Sequence, residues 1–139
     1  RALGNRSLLA DPRDLGIKDK VNGIKGRESF RPFAPVILEE YAKVYFNLPV
    51  KRSPYMQFTA MCNFPDKYPG IVHVDGTSRV QTVTMRDNKP LYNLLRLWKN
   101  KTGCPMLLNT SLNVKGEPMV NDIDDAKRFA TVNNVKVFT

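Results

Sequence analysis

Residues 88–113, NKPLYNLLRLWKNKTGCPMLLNTSLN, place an amphipathic helix directly before a buried strand, and this pairing sets the fold class. Asn88 stands where a helix cap is wanted, and Pro90 falls in the first turn, where its missing N–H costs nothing. Leu91, Leu94, Leu95 and Trp98 recur at helical spacing, so one face is apolar, and Gly103 stops the helix. Residues 106–109 follow as a short continuous apolar run, which reads as a strand covered on both faces. The segment 110–118 then turns polar around Gly116. A loop in that place sits at the carboxyl end of a strand, where α/β sheets bind ligands.

Working outward, the same grammar recurs. Upstream, Ile17, Val21 and Ile24 mark a short helix over residues 14–24, with Gly26 as its stop. Residues 33–38 read as a buried strand that Pro35 confines to an edge or a bulge. A helical turn follows over 39–46. Residues 55–62, 71–74 and 79–84 are rich in aromatic and β-branched side chains between Pro and Gly, and read as strands. Downstream, Asp122 caps a helix running to about Ala130, with Ile123, Ala126, Phe129 and Ala130 facing inward, and 135–138 suggests a closing strand. The expected fold class is therefore α/β (α+β): an open twisted mixed sheet flanked by helices, in one domain over residues 1–139.

Composition narrows the function classes. The chain has 139 residues, 42% hydrophobic and 25% charged, enough for one core without disulfides. Its two cysteines, Cys62 and Cys104, lie in apolar runs with no neighbouring His or Cys, so neither a metal site nor a disulfide framework is expected. No apolar run approaches the ~20 residues of a membrane span and the amino end carries no signal-peptide pattern, which sets a cytoplasmic expectation. There is no Walker loop, no Gly-x-Gly-x-x-Gly and no His-rich motif. A single histidine, His73, weakens triad chemistry; strand alternation would point it either into a pocket or into a core hydrogen bond. A net charge of +9 calls for an anion, and a nucleotide or a nucleic acid would each satisfy it.

Two stretches could bind such an anion. Residues 25–33, KGRESFRPF, place Lys25, Arg27 and Arg31 where a helix gives way to a strand. Arginine presents a planar fork to phosphate oxygens and lysine a mobile point charge, a combination suited to polyphosphate; the alternative is a solvated basic turn. Asn109, Thr110, Ser111 and Asn113 supply neutral donors and acceptors after the buried strand, with alternate side chains on one side. Their alternative is local turn chemistry.

The pairs Lys25-x-Arg27 and Ser111-x-Asn113 resemble the Lys-x-Arg and Ser-x-Asn signature of YrdC-like threonylcarbamoyl-adenylate synthases. Longer stretches extend the likeness: RALGNRSLLADPR at 1–13, GRESFRPFAP at 26–35, HVDGTSRVQ at 73–81 and LLNTSLNVKGEP at 107–118. Together these resemble the C-terminal, YrdC-like domain of NodU/TobZ-type O-carbamoyltransferases, in order and over almost the whole chain. The resemblance implies a YrdC-like sheet that forms carbamoyl-adenylate from ATP and carbamoyl phosphate, with Mg²⁺ accompanying the triphosphate. A Kae1-like domain ahead of it, outside this sequence, would hold iron and transfer the carbamoyl group to a hydroxyl acceptor. That family's segment usually has Gly-Pro before Arg-Ala-Leu-Gly, so a start at Arg1 marks a fragment.

Carried onto this sequence, the resemblance makes Lys25, Arg27, Ser111 and Asn113 the catalytic set. Arg31, Arg79, Asn109 and Thr110 would bind substrate or nucleotide, Asn109 at the carbamoyl end and Arg79 from the other side of the sheet. No carboxylate set marks Mg²⁺ ligands. The rival readings are an RNA-binding YrdC-like module without catalysis, a noncatalytic remnant, and a threonylcarbamoyl synthase.

Overall fold

The computed structural model describes residues 3–27, 32–114 and 116–138. Its elements are β1 (Ser7–Ala10), α1 (Ile17–Lys25), β2 (Ala34–Leu38), a 3₁₀ turn at Glu39–Tyr41 leading into α2 (Ala42–Tyr45), β3 (Phe58–Met61), 3₁₀ turns at Pro65–Lys67 and Pro69–Ile71, β4 (Thr77–Val83), α3 (Lys89–Thr102), β5 (Met106–Ser111) and α4 (Ile123–Asn133). The strands form one open mixed sheet in the order β1-β5-β2-β4-β3. Only β2 and β4 run parallel; β1–β5, β2–β5 and β3–β4 are antiparallel.

Strand alternation assigns the two faces of this sheet to different helices. Leu8, Ile37, Val80, Met106 and Leu108 point to one side and pack with Ile17 and Val21 of α1, joined by Phe46 and Ile71. Val36, Leu38, Val83 and Leu107 point to the other side and meet Leu91 and Leu95 of α3. The central strands β2 and β5 are thus apolar in consecutive positions because both faces are covered.

Local chemistry fixes the helix ends. The Asn88 carboxamide accepts from the Leu91 amide at 3.2 Å, Pro90 lies in the first turn and Gly103 closes α3 in the left-handed region. The inward stripe of α3 is narrower than the spacing predicts: Leu91 and Leu95 are buried and Trp98 donates to the Met106 carbonyl at 3.0 Å, but Leu94 is 45% exposed. At about 100° per residue Leu94 lies about 60° from Leu91, on the flank of the stripe.

Pro35 lies in an interior strand, against the expectation of an edge or bulge. Leu38 donates to the Pro105 carbonyl at 3.2 Å, so by alternation the Pro35 nitrogen faces away from β5. On that side Phe33 donates to the Gly70 carbonyl at 3.3 Å, and pairing with β4 starts only at Val36. The missing N–H therefore falls in a gap of the ladder. Gly70 is a close-approach point: its amide donates to the Pro12 carbonyl at 3.2 Å, and a Cβ there would lie 2.7 Å from Ile17 Cγ2.

Other expectations need correction. Residues 71–74 are not a strand: the 3₁₀ turn Pro69–Ile71 runs into a tight turn in which Gly76 donates to the His73 carbonyl at 2.9 Å and Asp75 accepts from Thr77. His73 is exposed there, in neither a pocket nor the core. The expected strand 55–62 shortens to Phe58–Met61, with Cys62 forming a lone bridge to Phe46. Ile123, the first residue of α4, is exposed, while Ala126 and Phe129 one turn on are buried. The chain leaves α4 through Asn134 at φ 53°, and residues 135–138 form no strand.

Candidate functional site

The last turn of α1 delivers two cations in different directions. Gly26 takes φ 66°, allowing Arg27 to donate its amide back to the Asn22 carbonyl at 3.0 Å and reverse the chain. Lys25 is the last helical residue, whereas Arg27 lies past the cap and turns back onto Asn22. Its Nε donates to Asn22 Oδ1 at 3.0 Å, and its guanidinium sits 4.5 Å from the centre of the Phe33 ring.

Lys25 reaches across to the end of β5, 86 residues away in sequence. Its ammonium lies 2.7 Å from the Ser111 carbonyl and 3.1 Å from Ser111 Oγ. It also lies 2.9 Å from the Asn113 carbonyl and 3.1 Å from Asn113 Oδ1. An ammonium has three hydrogens, so these four oxygens share them. Ser111 Oγ donates to Asn113 Oδ1 at 2.5 Å, and Asn113 Nδ2 donates to the Glu117 carbonyl at 2.9 Å. The result is a closed polar turn built around one buried cation.

That cation is only 5% exposed. Burial, with repulsion from Arg27 adding to it, pushes the Lys25 pKa down from 10.5 to about 8. Three of its four partners, the two backbone carbonyls and Asn113 Oδ1, can only accept, one more than the two N–H groups of a neutral amine could serve, so the observed arrangement belongs to the protonated amine.

The structure thus brings together Lys25, Ser111 and Asn113 by direct hydrogen bonds, with Arg27 near enough to Lys25 to perturb its charge. Asn109 lies two residues back along β5, buried, with Nδ2 donating to Gln81 Oε1 at 2.8 Å. Thr110, half-buried and paired with Leu8, falls on the opposite face by alternation. Arg79 stands apart: it is exposed on β4 opposite Thr59, and β2 separates its strand from β5. Arg31 lies outside the described residues.

Three residues at this site escaped the sequence reading. Asn22 and Phe33 contact Arg27, and Gln81 holds Asn109 while donating to the Leu3 carbonyl at 3.2 Å. Asn22 and Gln81 are buried polar residues inside apolar patterns, and that contrast was the available signal.

A hollow of about 580 Å³ opens beside Asn113, between the segment around Glu117 and Asn121 and the Arg128 and Phe129 side of α4. A larger one, about 1080 Å³, follows β1 between α1 and α3 and does not reach Lys25, Arg27, Ser111 or Asn113. The hydrogen bonds that join Lys25 to Ser111 and Asn113, not the size of either hollow, mark the candidate site. Among the described residues no cluster of three or more His, Cys, Asp or Glu could hold a metal ion. Among them, too, no helix is long and apolar enough to cross a membrane.

The end of α1 and the end of β5 thus meet in a cation-centred turn beside a mixed five-stranded sheet. Sequence comparison gives the class its name: the family model described as Carbamoyltransferase C-terminus matches residues 1–139, and the chain belongs to that family. It is 45% identical to nodulation protein NolO of Bradyrhizobium diazoefficiens over 131 residues, covering 91% of this chain and 24% of that protein. It is 45% identical to nodulation protein NolNO of Sinorhizobium fredii over 131 residues, covering 91% and 19% respectively. Nodulation protein U of Bradyrhizobium diazoefficiens is 39% identical over 137 residues, with 97% of this chain and 24% of that protein covered. The chain spans a quarter or less of the length of these curated relatives.

Proposed function

We propose that this chain is the carbamoyl-activating domain of a carbamoyltransferase, binding ATP and carbamoyl phosphate at the Lys25–Ser111–Asn113 turn and forming carbamoyl-adenylate. The observation that carries this reading is the convergence of the Lys-x-Arg and Ser-x-Asn pairs, through Lys25 Nζ within 2.7–3.1 Å of four Ser111 and Asn113 oxygens. Membership of the Carbamoyltransferase C-terminus family supports the group transferred.

In the proposed reaction carbamoyl phosphate first loses phosphate to water, leaving carbamate. A carbamate oxygen then bonds to the α-phosphorus of ATP, and the bond to the bridging oxygen breaks, its electron pair departing with pyrophosphate. Negative charge grows on the phosphate oxygens, so the chain's contribution is fixed positive charge and oriented donors. Arg27 offers the fork, with Arg31 beside it in sequence, and Lys25 holds the turn at a positive potential. Ser111 and Asn113 orient phosphate or ribose, Asn109 reaches the carbamoyl end, Thr110 contributes to substrate or nucleotide binding from the other face of β5, and Arg79 contributes charge from two strands away. The site oxygens already surround an ammonium, so they do not form a resident metal cage; Mg²⁺ enters on the triphosphate as part of the substrate. A Kae1-like partner domain, with its iron, would complete transfer to the hydroxyl acceptor, and the setting would be cytoplasmic.

Calorimetric titration with MgATP tests the binding half. Wild type should bind and prefer ATP over other nucleotides, and Arg27→Ala should bind about 10–100-fold more weakly, as loss of a charge-assisted contact requires. Equal affinities would reject the site. Binding that ignores the base and collapses with salt would favour the RNA-binding reading.

A further inference from the structure

Among the described residues, Asn22 and Phe33, from different parts of the chain, both anchor Arg27. Asn22, completely buried within α1, accepts from Arg27 Nε at 3.0 Å through Oδ1, while its carbonyl accepts the Arg27 amide at 3.0 Å. Phe33, buried at the entrance to β2, lies under the guanidinium at 4.5 Å. A hydrogen bond at Nε sets the direction of the guanidinium, and the ring beneath it sets its plane. An arginine on the loop side of a helix cap would otherwise sample many rotamers, and ordering it on binding would weaken the ligand's affinity.

We infer that Asn22 and Phe33 are positioning residues that hold Arg27 in advance as a rigid anion-binding fork. A polar residue at a fully buried helical position needs a reason, since burial without a partner is unfavourable. Here the carboxamide oxygen accepts from a side chain five residues ahead. Leucine at this position would remove the oxygen that accepts from Arg27 Nε while staying apolar in a fully buried position. Phe33 packs in the core while lending one face to the cation, so core and site share this residue. The inference rests on the proposed role of Arg27 toward phosphate and adds what makes that arginine effective.

A double-mutant cycle read by MgATP calorimetry provides the test, with wild type, Asn22→Leu, Arg27→Ala and the combined variant, and with Phe33→Leu carried through the same cycle. Thermal unfolding of each variant reports the fold separately. Asn22→Leu and Phe33→Leu should each weaken ATP binding by about tenfold in the wild-type background and by less than about twofold in the Arg27→Ala background. A merely structural role would give equal losses in both backgrounds. If Arg27→Ala weakens ATP binding while Asn22→Leu and Phe33→Leu leave it at the wild-type value, the positioning role is wrong and the phosphate site stands. Binding of wild-type strength by Arg27→Ala removes both the site and the inference. Should Asn22→Leu fail to fold, the Phe33→Leu cycle decides by the same criteria.

Discussion

Replacing Lys25 by methionine keeps the length of the side chain and removes its charge, and the consequence should depend on pH in a defined direction. In the folded chain the Lys25 ammonium releases its proton at about 8, against 10.5 when exposed. Below pH 8 both folded and unfolded chains are protonated there, and the fold bears the cost of a buried cation. Between about pH 8 and 10.5 the unfolded chain holds more protons than the folded one, so stability rises with pH across that window. At about 1.36 kcal/mol per pH unit the whole gap corresponds to about 3 kcal/mol, and solvent screening around the turn leaves roughly 1–3 kcal/mol. Urea unfolding of wild type and Lys25→Met at steps across this range measures it, because every other titrating group cancels in the difference. Wild type should gain on Lys25→Met as pH rises. Parallel stability curves would show that Lys25 is neither buried nor perturbed as described. Arg27→Ala should narrow the window from below, since repulsion from Arg27 is one of the two forces depressing Lys25.

Two further outcomes test the frame that holds the site. Leu95→Ala should cost about 2–5 kcal/mol in chemical unfolding, because Leu95 is completely buried against Val36, Leu38 and Leu107, whereas Leu94→Ala on the exposed flank should stay within about 0.5 kcal/mol. Asp122→Ala should lower stability by about 1 kcal/mol, since Asp122 Oδ1 accepts from the Asp125 amide at 2.8 Å at the start of α4; urea unfolding of that variant gives the value.

The helices were legible where caps and periodicity agreed. Asn88, Pro90 and Gly103 bound α3 as their chemistry requires, and Gly26 ends α1 in the left-handed conformation. What sequence could not supply was sheet neighbourhood. Pro35 reads as an edge residue until the gap between Phe33's bond to Gly70 and the start of β4 pairing is known. Residues 71–74 carry a strand composition, but Pro69 and the Asp75-Gly76 turn on either side leave too little length for one. At the site, Lys25, Ser111 and Asn113 were named from motif and found in contact, while Arg79, named with them, lies two strands off. Asn22, Phe33 and Gln81 were passed over because partners distant in sequence decide whether a buried polar or aromatic residue serves packing or a neighbour's orientation.

The central claim is that this domain forms carbamoyl-adenylate, and isotope exchange tests it most directly. With carbamoyl phosphate, ATP and Mg²⁺ supplied, labelled pyrophosphate should enter ATP only when the carbamoyl donor is present. Arg27→Ala should slow that exchange by roughly 10²–10³ if its guanidinium meets the developing phosphate charge. Exchange that needs an added Kae1-like partner would still be carbamoyl-dependent and would keep the chemistry. A reconstituted pair that binds ATP and never exchanges pyrophosphate would contradict the account.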